Sequence, residues 1–374
     1  MPYQKRGKIM FKKGNWSIIL LMIISMIFLL TASVVGQEFE WRMQVIHSPK
    51  NLDYEIYQET IDKIEKASNG RLKIELYPNG TFAGSMEGFQ ACGDGIYEMY
   101  SSWPVYLKGI SNEFQALTTG NLAMKAIDKW VWLKEYGGAE LFQEAFDKNN
   151  LNLKIISFDI WGSEVLMSAE KISSTSDFKG KKMRTSDTRV LDEMGGVGVS
   201  LPLEEVFTGF STGEVDLAEF GHLKYNEGIG LTDVADYGIW PDFWNVHNVT
   251  TVVINKNAWN KLPEDLQLIV EMAFQSASFE HWSESQYTSA ELMRQYQENN
   301  KLKFERLPSE SFIDLREKMY QKEQEEIEKY GGLTEKVYNS YYDFYEVWYP
   351  YRHKAGWWGR GLSAEEQAGF DLDK

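Results

Sequence analysis

Phe178–Gly221, FKGKKMRTSDTRVLDEMGGVGVSLPLEEVFTGFSTGEVDLAEFG, decides the reading of this chain. It opens with a basic cluster that runs into a strand-like MRTSD carrying Arg184. A helix-like segment follows and stops at Gly195-Gly196, where Gly195–Gly198 reads as a C-cap and turn. Beyond Pro202 the segment LEEVFTGFSTGEVD predicts a second helix, and the stretch ends on Leu217, Ala218, Glu219 and Phe220. Strand, helix and strand-end thus follow one another with an arginine at the start and a carboxylate at the finish, the helices between them setting the distance.

The same alternation extends outward in both directions. Toward the N-terminus, Glu38–Ser48 and Arg71–Tyr77 alternate as strands around a helix at Leu52–Ala67 that stops at Asn69-Gly70. A short helix at Met86–Gly93 and a strand at Glu98–Trp103 complete a β-α-β-α-β order, which predicts a mostly parallel sheet with helices on both faces. Ligands in open α/β sheets sit outside the carboxyl ends of strands. Trp103 and Tyr106 follow such an end; they line a pocket or pack beneath a loop. Leu153–Phe158 is an apolar strand at which a second α/β unit would begin. Glu164, just beyond it, is either a site residue or a solvated strand end, because an unpaired carboxylate among apolar neighbours is costly.

Toward the C-terminus, Trp240–Asn248 is an aromatic loop with Trp244 and Asn245, and Val249–Asn255 is a β-branched strand. Leu262–Asn299 starts with Pro263, Glu264 and Asp265 and has no internal Pro or Gly. As one helix it would be ~54 Å long, enough to run along two domains. Ser309–Tyr330 and Thr334–Ala355 are further helices, the last so aromatic that it is either a core element or a contact between chains.

Composition sets limits on function. The net charge of −16 argues against nucleic acid and anionic lipid as partners. An anion site must then be made locally, by a buried cation or helix N-termini. Cys92 is the only cysteine, which excludes an intramolecular disulfide and a cysteine metal cluster. Residues 1–36 carry a basic start and an apolar run from Trp16 to Val35, with Val34 and Gly36 suited to cleavage. They read as a signal peptide, with an uncleaved membrane anchor as the alternative. The five histidines have no metal-ligand spacing, and no GxSxG, P-loop or strand-borne GxGxxG occurs. The pair Glu204-Glu205 is weak evidence for a glycosidase in a chain with 55 acids.

DFKGKKMR, VSLPLEEVFTGFSTGEVDLAEFG, TTVVINKNAWNKLPEDLQ and RLKIELYPNGTFAG resemble the solute-binding proteins of TRAP (tripartite ATP-independent periplasmic) transporters, across about residues 38–350. The resemblance implies an α/β, two-domain periplasmic binding protein fold, with a hinge and a long helix spanning both domains. The implied division is residues 37–150 with 222–255, then 151–221 with 256–308, and C-terminal helices over 309–374. It implies a binding protein and no enzyme: a small carboxylate is captured between closing domains and handed to a sodium-driven permease. The IWP and INKNAW stretches and the aromatic last helix resemble the branch that binds 2-oxo acids with a metal ion, and suggest a homodimer through that helix. The family's carboxylate-binding arginine matches Arg184, whose planar fork suits a carboxylate. The branch's metal ligands match Glu164 (where the branch has glutamine), Glu219 with Phe220 (where it has tryptophan) and Asn245 (where it has glutamate). The implied ion is Ca²⁺ or Na⁺, with Trp103, Tyr106 and Trp244 as further walls. A secreted carbohydrate-active enzyme and an anchored ligand-sensing domain are the alternative readings.

Overall fold

The computed structural model describes residues 37–119, 124–161, 163–239, 249–308 and 310–355. The signal segment 1–36 and the candidates Trp244 and Asn245 lie outside them. Two sheets organise the chain. The first holds β1 (Phe39–Val45), β2 (Leu72–Tyr77), β3 (Met99–Ser102), β4 (Leu153–Ile160) and, from later in the chain, Val249–Asn255. The second holds β5 (Leu166–Ser168), β6 (Lys182–Arg184), β7 (Val197–Val199), β8 (Leu217–Ala218), β9 (Tyr237–Ile239) and, last, Lys303–Glu305. With Val249–Asn255 as β10 and Lys303–Glu305 as β11, the orders are β2-β1-β3-β10-β4 and β11-β9-β5-β8-β6-β7. β1, β2 and β3 are parallel, and β10 runs antiparallel between β3 and β4.

This strand pairing differs from the expected division in two places. β4 was placed with the second unit, but it pairs along its length with β10 in the first sheet. β9 was placed with the first unit, but it pairs with β5 and β11 in the second. Both segments lie beside crossovers between the units, where strand character alone does not say which sheet will accept the hydrogen bonds. The expected C-cap and turn at Gly195–Gly198 is also corrected. The turn is confined to Gly195 (φ 74) and Gly196, and Val197–Val199 pairs parallel with β6.

The predicted long helix is Glu264–Glu298. Its buried face changes character along its length. Leu266, Val270 and Phe274 join a cluster with β1, β2 and helix Leu52–Ala67, whereas Leu292 and Tyr296 join one with Val165, Met167 and Phe220 of the second unit. Between these ends the buried residues are Ala277, Ser278, His281, Ser285 and Ser289, small or polar where the helix passes from one unit to the other. The terminal helices also divide between the units. Leu315 and Met319 of Glu310–Tyr330 pack with Phe178, Val190 and Leu191 of the second unit. Tyr338, Tyr341 and Phe344 of Gly332–Ala355 pack with Trp132 of the first. That aromatic helix is therefore core within a single chain, while its Val347 and Tyr351 are exposed.

Candidate functional site

The carboxyl ends of β1, β3, β6 and β8 converge where the sheets face each other, and the next residue or two at each end supplies the site. Strand pairing sets the spacing of the two ends of the opening stretch, in place of the helices between them. β6 lies parallel to β8, with Arg184 beside Ala218. Glu219 N–H donates to the Arg184 carbonyl at 2.9 Å, and Arg184 Nη1 donates to the Glu219 carbonyl at 2.6 Å.

Arg184 is 4% exposed. Its Nε donates to the Leu201 carbonyl at 3.3 Å, and its guanidinium stacks 4.4 Å from the Phe220 ring centroid. Among the described residues no carboxylate lies within ion-pair distance of its guanidinium, whose partners are carbonyl oxygens. A buried guanidinium bonded to neutral carbonyls has no counter-charge from them, which costs stability unless an anion arrives. The arginine therefore supplies a local positive charge inside an acidic protein.

Two carboxylates share the site. Glu219 is fully buried and its oxygens accept from Ser186 N–H at 3.1 Å and Ser186 Oγ at 3.5 Å. Glu164 is also fully buried, which rules out the solvated strand-end reading. It is held beside the Glu219 segment, because Val165 N–H donates to the Gly221 carbonyl at 3.0 Å. Two carboxylates on adjacent segments suit a hard, oxygen-seeking cation. Among the described residues no group of three His, Cys, Asp or Glu side chains completes such a site. The remaining expected ligand, Asn245, lies outside them.

The walls are aromatic. Trp103 is 2% exposed and meets Phe220 edge-on at 5.4 Å, Tyr106 at 6.1 Å and Trp161 at 4.9 Å. Gly221 permits this packing: a Cβ there would sit 3.2 Å from both the Trp161 and Tyr225 rings. Several buried polar atoms find no hydrogen-bond partner among the described residues: Trp103 Nε1, Tyr106 Oη, Tyr225 Oη and both ring nitrogens of His47. Burial, against the pull of Arg184, pushes the Tyr106 hydroxyl up to about 12. Burial holds the His47 imidazole down to about 4, so it is neutral near pH 7. Such orphaned groups are costly in a closed interior, and two of them, the Tyr106 and Tyr225 hydroxyls, lie within electrostatic reach of Arg184. The sequence reading brought Arg184, Glu164, Glu219, Phe220, Trp103 and Tyr106 to one place. It missed His47, Trp161 and Tyr225. His47 and Trp161 follow β1 and β4 as Trp103 follows β3, so the strand-end rule that found Trp103 could have found them.

Two facing α/β units with a charged, aromatic cleft between their strand ends define a cleft-binding receptor. The chain belongs to the bacterial extracellular solute-binding protein family 7 (DctP), whose profile matches residues 44–329. This is the kinship the opening stretch led us to expect. Among curated relatives, a monocarboxylate 2-oxoacid-binding periplasmic protein of Nostoc sp. (strain PCC 7120) is 28% identical over 239 residues. That match covers 62% of this chain and 64% of the relative's length. A TRAP periplasmic solute-binding protein of Pseudoalteromonas atlantica T6c, solved with bound sodium and pyruvate, shares the fold at a TM-score of 0.77 and 22% identity. The superposition covers 85% of this chain and 98% of that one. A second, from Bordetella bronchiseptica RB50, is a dimer with calcium and picolinate; it superposes at a TM-score of 0.75 and 21% identity, covering 85% of this chain and 96% of that one.

Proposed function

We propose that this chain captures a small carboxylate, a 2-oxo acid or related organic acid, between its two units. The observation that carries the reading is the buried, uncompensated Arg184 ringed by orphaned polar atoms. Arg184 binds the carboxylate by a forked pair of charge-assisted hydrogen bonds. Trp103, Tyr106 and Phe220, with Trp244 from the aromatic loop, wall the solute. Glu164, Glu219 and Phe220, with Asn245, hold Ca²⁺ or Na⁺, which would offset the two acidic side chains beside an anionic solute. No bond is made or broken; closure of the cleft is the working step. The solute then passes to the membrane subunits of a sodium-driven TRAP permease. The protein acts outside the cytoplasmic membrane after export by residues 1–36, and Val347 and Tyr351 of the last helix contribute to a homodimer.

A thermal-shift screen of organic acids, each with and without Ca²⁺ and Na⁺, tests the site, because a ligand raises the melting temperature by mass action. Carboxylates should stabilise the wild type, and Arg184→Ala should abolish the response. If Arg184→Ala responds to every effective acid as the wild type does, the carboxylate binds elsewhere. If Glu219→Gln leaves the effect of Ca²⁺ on those acids unchanged, the cation assignment fails.

A further inference from the structure

Glu204 and Glu205 open the helix Leu203–Ser211 in the second unit. The solute site uses neither of them. The structure separates the two residues. Glu204 reaches across the mouth of the cleft to the loop that follows β2 of the first unit. Its Oε1 accepts from Asn79 Nδ2 at 2.6 Å and from Ser85 N–H at 3.0 Å, and its Oε2 accepts from Ser85 Oγ at 3.0 Å. Burial raises its carboxyl pKa, but the hydrogen bonds, those of Asn79 and Ser85 among them, outweigh burial and hold it below the usual carboxylate range.

The partners are fixed in place. Ser85 is 1% exposed. A second strap crosses the same mouth: Lys108 Nζ, just beyond Trp103 and Tyr106, donates to the Ser186 carbonyl at 2.9 Å. Ser186 in turn holds Glu219. Both straps join backbone or side chains of one unit to the other at the open ends of the strands, and neither touches the Arg184 guanidinium.

We infer that Glu204 is the latch of the closed cleft, a positioning residue that sets how much of the protein is closed without touching the solute. The inference rests on the cleft-binding reading above. Three hydrogen bonds to one ionised carboxylate, partly screened by water, correspond to about a tenfold bias toward closure. A solute that binds the closed form then gains affinity in proportion to the closed fraction.

The test reads conformation directly. Cysteines at Thr81 and Thr212, both exposed, take spin labels while Cys92 stays buried, and the distance between the labels reports the mouth. Distances are measured without added solute and with pyruvate plus CaCl₂. In whichever condition the wild type populates the short distance, Glu204→Ala should lower the closed-to-open ratio about tenfold. Glu204→Gln, which keeps one acceptor, should fall between. Ser85→Ala should lower the ratio by itself and add little in the Glu204→Ala background, a coupling that a merely structural role would not give. A wild type that shows no short distance in either condition overturns the latch, as does a Glu204→Ala ratio equal to the wild type's. A short distance without solute that is unmoved by pyruvate counts against pyruvate as the solute and leaves the latch standing.

Discussion

Two buried charged clusters lie close together in this molecule and are built on opposite principles. At the solute site Arg184 has no carboxylate partner among the described residues, and the polar atoms around it are orphaned. At the junction of helix Leu52–Ala67, the long helix and the turn after β8, opposite charges face each other within the protein, although the Asp53 oxygens and the His281 ring nitrogens also lack a hydrogen bond of good geometry. Asp53 forms an ion pair with His281, and His222 Nε2 stands 3.7 Å from the same carboxylate. His222 Nδ1 accepts from Tyr225 N–H at 3.2 Å, so its proton is on Nε2, facing Asp53. Trp161 separates the clusters, packing 5.2 Å from the His222 ring and 5.3 Å from His281. A buried charge that is already matched belongs to the fold. One left unmatched is completed from outside. The difference in pairing, with burial the same, marks which cluster meets the solute.

The largest effect should come from breaking the matched cluster. Asp53→Ala leaves His281 buried without its counter-charge and His222 without the carboxylate it faces, and should cost about 3 to 5 kcal/mol. The checking measurement is the thermal midpoint of the ligand-free protein, which should fall by several degrees. An unchanged midpoint would erase the distinction between the clusters. The second effect is its mirror image. Arg184→Met should weaken carboxylate binding about a hundredfold, about 2.7 kcal/mol. Because it removes an uncompensated buried cation, the ligand-free midpoint should hold or rise. A large fall in that midpoint, measured beside the affinity, would mean that Arg184 is structural.

The sequence carried the scaffold of this comparison and missed its contents. Hydrophobic period, capping residues and glycine stops located the long helix, the terminal helices and the longer strands, since these are local properties. Arg184, Glu219 and Phe220 were legible because one contiguous stretch holds them. The sheet membership of β4 and β9 was not, because pairing depends on partners far along the chain, β10 for β4 and both β5 and β11 for β9. The Asp53–His222–His281 cluster was invisible for the same reason. Its members share no motif spacing, and only the crossing of three elements brings them together.

pH offers a gentler probe of the matched cluster. Burial lowers the His281 pKa, but Asp53 and then Asp159 outweigh it and raise it above the usual 6.5. A raised histidine contributes stability that is fully present below the unfolded value near 6.5 and lost as pH rises through the folded value. The difference in midpoint between wild type and His281→Gln should therefore be largest below pH 6.5 and shrink as pH rises. Asp53 sets the lower limit. Its carboxyl, raised by burial but lowered further by His281 and His222, lies well below 3.8. Its contribution is present above that unfolded value and lost only in stronger acid. A difference that instead grew as pH rose toward 6.5 and then levelled off would show that His281 is buried neutral and the pair is not ionic.

The smallest effect sharpens the unmatched cluster. Tyr106→Phe removes a buried hydroxyl that has no hydrogen-bond partner among the described residues. If that hydroxyl were a structural group already satisfied, losing it would destabilise the free protein by about 1 kcal/mol and leave affinity alone. If it waits for the solute, the signs reverse. The ligand-free protein sheds an unsatisfied polar group and melts at the same temperature or slightly higher. The complex loses one hydrogen bond, so affinity for the most effective carboxylate falls about threefold to tenfold. Calorimetric titration beside a melting curve separates the two outcomes within one variant. Unchanged affinity with a lowered midpoint would move Tyr106 from the solute site into the core.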